Sequence, residues 1–250
     1  MRPIYYRKRK RKIIRGILIL ICSLFLILIL AYIFLFSSIF RIKEIQISGN
    51  KDTKTEEIKN NLNYKNIFLA TGSKIKNDLL KKFPQISELE VEKNLIKREI
   101  KIIIKEREEF GIVCQENTKN CFYIDKLGFI FKEAPQTSGS LVILIKDYSS
   151  RDYKIGEKIF EENITNFIGE TREFLISEIN LQVLEFDNLS FPPDDLKVIT
   201  NESWYILFNL QKQAQDQLSA LKAVLEEKIK EARKDLEYVD LRIENRVYYK

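Results

Sequence analysis

The hydrophobic pattern changes character twice along the chain. From Gly16 to Phe40 no residue is charged, and Leu, Ile, Phe and Val cover every helical face of GILILICSLFLILILAYIFLF. A core helix of a soluble domain keeps a polar stripe, so residues 16–38 read as a membrane span. At about 1.5 Å rise per residue, roughly 20 apolar residues cross a hydrocarbon core of about 30 Å, and this run is longer than that. After Phe40 the pattern alternates. FRIKEIQISGN reads as a strand closed by the turn Ser48-Gly49-Asn50, and Thr53 with Glu56 reads as a capping box opening a short helix. Asn66 to Ala70 reads as a turn, and Ser73 as the cap of a second helix with Ile75, Leu79, Leu80 and Phe83 on one face and Pro84 as its stop. ISELEVEKN and REIKIIIKERE follow as two alternating strands. The order strand, helix, helix, strand, strand predicts a small α+β module over 40–108.

From Phe110 the elements shorten. FGIVC, CFYID, GFIFKE and LVILIKD read as strands, a helix is expected over roughly Phe160 to Phe174, and SEINLQVLEF, DLKVITN and WYILFNL read as further strands. A long helix is expected from about Gln213 to Arg233, where Leu218, Leu221, Val224, Leu225 and Ile229 form one stripe, and YVDLRIENRVYYK is expected to form the last strand. The fold class is therefore α+β: a basic tail (1–15), a single N-terminal transmembrane helix (16–38), a βααββ module (40–108), and a β-rich mixed-sheet domain backed by helices (109–250).

Charge refines this picture through its placement. The formal net charge is +6, from 42 Lys and Arg against 36 Asp and Glu. Eight of the basic residues lie in the first 15 positions with no acidic neighbour, which leaves 34 basic against 36 acidic residues for the rest. A cationic flank stays in the cytoplasm, so the chain after Phe40 is expected on the far side of the membrane, with the tail drawn to anionic lipid. A cleaved secretory signal shares the basic start, but its apolar core is only about 7 to 15 residues and ends at a small-x-small site, unlike Phe36-Ser37-Ser38-Ile39-Phe40. Lys and Glu are interspersed beyond the span, so no basic face for nucleic acid is indicated.

The chain has no histidine, eight glycines and three cysteines. No nucleophile with a base, phosphate-cradling glycine loop or metal cluster is visible, so no catalytic, cofactor-binding or metal-binding residue and no small-molecule substrate is expected. Only carboxylate groupings remain for an enzyme: Glu106, Glu108 and Glu109, and Asp194 with Asp195. Cys22 lies in the span. Cys114 and Cys121 flank a polar loop between two strands, and an oxidising compartment permits a disulfide there, with two free thiols as the alternative.

Taken in order, these features resemble the bacterial cell division family FtsQ/DivIB. A basic tail and single span lead into FRIKEIQISGN, which resembles the opening of the family's POTRA domain. IKEREEF resembles its Glu-Arg-x-Pro junction without the proline, YIDKLGFIF resembles its Y-x-D-x-x-G-x-V-F hairpin, and YVDLRIENRVYYK resembles its terminal D-L-R-F strand with Ile243 in place of the aromatic. The resemblance implies a single-pass type II protein of the cell (inner) membrane at the division septum. It would be a non-enzymatic scaffold that links septal proteins and regulates septum synthesis. It also implies partners, FtsB/DivIC-like and FtsL-like bitopic division proteins, received at the terminal strand and the helix before it. Arg242, Ile243, Asn245, Arg246, Val247 and Tyr248 are the contact residues implied. A POTRA-bearing transport component and a membrane-anchored wall hydrolase are the alternatives.

Overall fold

The computed structural model describes residues 4–149, 151–188, 194–244 and 246–250. They form two units, 1–82 with 86–106 and 83–85 with 107–250. The first begins with helix α1, Ile4–Phe36, which runs through the basic tail. Its segment Arg15–Phe36 is 22 residues long and apolar enough to cross a membrane. Ser37 ends it: its hydroxyl accepts the N–H of Ile39 at 3.1 Å and opens a single 3-10 turn.

The rest of this unit is β1 (Glu44–Ser48), α2 (Thr55–Asn60), α3 (Gly72–Lys82), β2 (Ile86–Asn94) and β3 (Glu99–Glu106). The sheet order is β1-β3-β2, with β1 parallel and β2 antiparallel to the central strand. Alternation places Ile100, Ile102 and Ile104 on one face, where they are buried together with Ile58, Ile75 and Leu79 of the helices. Both expected caps are displaced. Thr53 precedes α2, and the backbone N–H groups of Asp52 and Thr53 each donate at 2.9 Å to the Glu106 carboxylate, so the end of β3 organises that turn instead of a capping box. Ser73 lies inside α3, whose first turn closes from the Ile75 N–H onto the Thr71 carbonyl at 3.0 Å.

The second unit contains β4 (Gly111–Gln115), β5 (Cys121–Ile124), β6 (Ile130–Ala134), β7 (Leu144–Asp147), α4 (Glu162–Ile179), β8 (Val183–Asn188), β9 (Asp195–Thr200), β10 (Tyr205–Asn209), α5 (Ala214–Val224), β11 (Tyr238–Asp240) and β12 (Tyr248–Tyr249). All its strands join one nine-stranded sheet in the order β12-β11-β10-β9-β8-β7-β4-β5-β6. Strand residues Val113, Ile145, Phe186, Val198, Ile206 and Val239 meet Ile168 and Leu175 of α4 and Leu218 and Leu221 of α5 in a single core. Cys114 and Cys121 are disulfide-bonded and face each other across β4 and β5.

Two of the sequence motifs prove to be one structure. Asp125, in YIDKLGF, accepts the N–H groups of Leu127 and Phe129 at 3.0 and 2.9 Å, which closes the β5–β6 turn. The same carboxylate pairs with Arg107 of the IKEREEF junction, whose guanidinium also lies over the Phe129 ring and donates to the Pro84 carbonyl.

Three elements differ from expectation. Helix α4 continues to Ile179 and ends on Asn180 in the left-handed conformation (φ 54°), so the strand read from Ser177 starts at Val183. The long helix expected to Arg233 ends as α-helix at Val224 and continues as a π turn (Leu225–Ile229) and a 3-10 segment (Lys230–Asp235). The terminal strand is a hairpin: β11 runs parallel to β10, and β12 folds back antiparallel onto β11.

Candidate protein-binding edge

The last thirteen residues finish one side of the nine-stranded sheet. Leu241 and Val247 pack into the main core and pin the two ends of the loop between β11 and β12. Arg242 clamps that loop from within: its guanidinium donates to both oxygens of Asp240, at 2.9 and 2.7 Å, and to Asp195 of β9 at 2.9 Å. Hydrogen bonds from Arg242 hold the Asp240 carboxyl below the usual carboxylate range, because they favour its ionised form. From the helical side, Lys212 Nζ donates to the Arg242 carbonyl at 3.1 Å.

With the loop held, β12 lies along β11 in the register Val239↔Tyr249 and Asp240↔Tyr248. Tyr238 and Lys250 exchange both backbone bonds, at 3.3 and 3.2 Å, and Lys250 Nζ pairs with Glu237 at 2.9 Å. Antiparallel bonding alternates along a strand, so this register turns the N–H and C=O of Tyr249 away from β11, toward the next position in the sheet. That position has no strand among the described residues. Tyr248 and Tyr249 are each 47% exposed there.

A groove of about 750 Å³ runs beside this edge, between α5 and the 241–247 loop. Gln213, Asp216, Ala220 and Val224 recur at helical spacing along its floor, with Leu241 and Ile243 on the opposite wall. Small residues at 220 and 223 keep the helix surface low, so an apolar side chain from outside has room. Lys212 and Arg246 place cations, and Asp216 and Glu244 anions, around the rim.

The residues implied at this site by the sequence divide accordingly. Ile243, Arg246 and Tyr248 are exposed, Arg242 is engaged by two aspartates, Val247 is packed inward, and Asn245 lies outside the described residues. The reading included the helix before the terminal strand but named none of its residues, since its polar spacing resembles an ordinary solvated surface, and it did not name Tyr249. Of the carboxylates considered for hydrolysis, Glu106 holds the β1–α2 turn and Asp195 is paired with Arg242.

Comparison with known proteins fits this architecture. Residues 40–107 match the family described as POTRA domain, FtsQ-type. A cell division protein DivIB of Clostridium botulinum (strain Loch Maree / Type A3) is 27% identical over 97% of this chain and 93% of its own length. The DivIB of Clostridium acetobutylicum is 30% identical over 59% of each chain. The POTRA match falls on the folded part of the first unit and the DivIB likeness runs on through the second, so the chain carries an FtsQ-type POTRA domain and is similar to DivIB cell division proteins along nearly its whole length.

Proposed function

We propose that this protein is a single-pass scaffold of the division machinery that receives a partner strand on β12. Arg15–Phe36 spans the membrane with the basic N-terminus in the cytoplasm. Both folded units then lie outside the cytoplasm at the septum, and the protein takes part in linking septal proteins and regulating septum synthesis. The observation that carries the reading is the uncovered edge at Tyr249 beside the α5 groove.

In this mechanism a segment of an FtsB/DivIC-like protein, itself joined to an FtsL-like one, adds a strand antiparallel or parallel to β12. Main-chain bonds give affinity, while a helical stretch preceding or following the added strand fills the groove with an apolar residue. Exposed Tyr248, Tyr249 and Arg246 supply the amphipathic contacts favoured at binding hot spots.

The test is binding of the full chain in nanodiscs to the exported segment of the same organism's DivIC-like protein, with Tyr249→Pro alongside. Proline removes the outward N–H of Tyr249 and leaves the bonds from Tyr238 to Lys250 in place. The expected result is at least about a tenfold loss of affinity, or about 1.4 kcal/mol, with an unchanged circular dichroism spectrum. No binding by the folded parent, or equal binding by the variant, overturns strand addition at this edge.

A further inference from the structure

The end of the first unit that adjoins α1 has a composition unlike the rest of its surface. Strands β1 and β3 start side by side, Glu44 opposite Glu99, and β2 finishes there, Asn94 opposite Glu99. The β2–β3 turn at 95–98 therefore lies at the same end as the chain leaving α1. Hydrogen bonds hold the two together: Arg98 Nη1 donates to the Ile39 carbonyl at 3.2 Å, and the Lys43 N–H to the Arg98 carbonyl at 2.9 Å. The α2–α3 turn joins them. Asn66 Nδ2 donates to the Phe34 and Leu35 carbonyls at 2.9 and 3.1 Å, satisfying groups that a helix C-terminus leaves unpaired, and the Phe68 ring sits 4.7 Å from that of Phe34.

On this end are Ile39, Phe68, Leu69, Leu95 and Ile96, with Ile96 95% exposed. Among the described residues these are all the exposed large apolar side chains of the first unit outside α1. A hairpin tip in water is ordinarily built from polar turn residues, as the far end of the same sheet is, with Ser48, Gly49, Asn50 and Lys51. Exposed Arg41, Lys43, Lys65 and Lys97 surround the apolar tip. Glu44 and Glu99 come one step further along the strands. An apolar point ringed by cations, fixed to the end of a membrane-spanning helix, matches one environment, the boundary between acyl chains and anionic headgroups.

We infer that this end is a second membrane contact: Leu69, Leu95 and Ile96 enter the headgroup boundary of the bilayer that carries α1, and Arg41, Lys43, Lys65 and Lys97 take its anionic headgroups. The inference rests on the reading of α1 as a membrane span. It makes the first folded unit a surface-seated body, held by its tip as well as by its tether.

The experiment uses the full chain in vesicles of phosphatidylcholine and phosphatidylglycerol, with Cys22→Ser and Ile96→Cys carrying an environment-sensitive nitrobenzoxadiazole probe; Cys114 and Cys121 stay bonded to each other. The same probe at Lys51→Cys, in the turn at the far end of β1, reports the aqueous side. At position 96, nitroxide on the lipid chains should quench the probe, and aqueous iodide should quench it at least about threefold less than at position 51. Equal iodide quenching at both positions, in protein that resists carbonate extraction, overturns the lipid contact and leaves the span intact. Extraction by carbonate overturns the span reading and this inference with it. In Lys65→Glu with Lys97→Glu, iodide quenching at 96 should rise toward that at 51; no change overturns the role given to the headgroups.

Discussion

The two edges of the nine-stranded sheet are finished in opposite ways. At β6 the chain returns to cover its own edge: the Ile130 N–H donates to the Glu157 carbonyl at 2.9 Å, the Gly156 N–H to the Ile130 carbonyl at 2.7 Å, and the Ile159 N–H to the Gly128 carbonyl at 2.8 Å. Lys132 and Glu133, exposed further along, add charge where the cover stops. Such devices keep a sheet from pairing with strangers. At β12 the closing strand is two residues long, its tyrosines are half exposed, and no strand among the described residues lies beyond it. One edge is closed by the chain, whereas the other is aimed by it. The clamp at Arg242 belongs to the second design, because it fixes the direction of β12 without shielding it.

The strongest way to break the contrast is to open the closed edge. Gly128 has φ +82°, and a Cβ there would sit 2.0 Å from the Phe160 carbonyl oxygen, within the segment that seals β6. Gly128→Ala should cost about 3 kcal/mol or more and lower the melting temperature by roughly 10 °C, with new self-association. Melting unchanged from the parent would mean that this closure does not hold the edge.

A smaller effect is expected from Arg242→Ala, which leaves Asp240 and Asp195 without their shared cation. Charge-assisted bonds at a partly exposed site contribute about 1 to 2 kcal/mol, and the loss should fall on β12, seen as faster amide exchange at Tyr248 and Lys250 and weaker partner binding. Arg246→Ala, at an exposed residue, should leave exchange as it was. The sign of the pH effect follows from Asp240. A carboxyl whose folded pKa is depressed contributes stability above its unfolded value, and that stability is lost as pH falls through the folded value. The parent hairpin should therefore loosen below about pH 4, and the Arg242→Ala hairpin should show no such step.

The smallest effect is a control that touches neither edge. Asp187, on central β8, is 5% exposed and one of its carboxylate oxygens has no hydrogen-bond partner. Burial, and then the neighbouring Glu185, push its pKa up to about 6, against the pull of Lys197 and Lys146. A raised acid binds its proton more tightly when folded, so stability declines as pH rises from about 4 to 6 and stays lower above. Asp187→Asn should raise stability by roughly 1 kcal/mol at pH 7.5 and leave it unchanged at pH 4, without altering exchange in β12. A change confined to β12 would instead tie this charge to that edge.

Much of the architecture is legible because it rests on local periodicity. The charge-free run to Phe36, the alternation of Ile100, Ile102 and Ile104, and the stop at Pro84 all depend on neighbours in sequence. What escapes that reading depends on distant groups. Thr53 resembles a cap, yet its turn is organised by Glu106, more than fifty positions away. Val239, Leu241 and Ile243 alternate as a strand should, but Arg242 is drawn to Asp195 on another strand, and the chain turns at that point. After α5 every residue from Leu225 to Arg233 suits a continued helix, while Arg233 is held by Glu202 and the Ile179 carbonyl. At the edge, the resemblance named Tyr248 and Arg246, both of them exposed, whereas the outward turn of Tyr249 follows only from a register that no local pattern records.

The parallel pairing of β1 with β3 has a mechanical consequence. The chain enters β1 from α1 and leaves β3 toward the second unit, and the two strands run in the same direction. Tension between anchor and second unit thus pulls the strands from opposite ends and slides them past each other. The pairs from Glu44↔Glu99 to Ser48↔Ile103 share such a load together, where an antiparallel pair pulled from one end would give way a bond at a time. The first unit is wired as a shear joint, in which a load applied between α1 and the second unit falls on all these pairs at once.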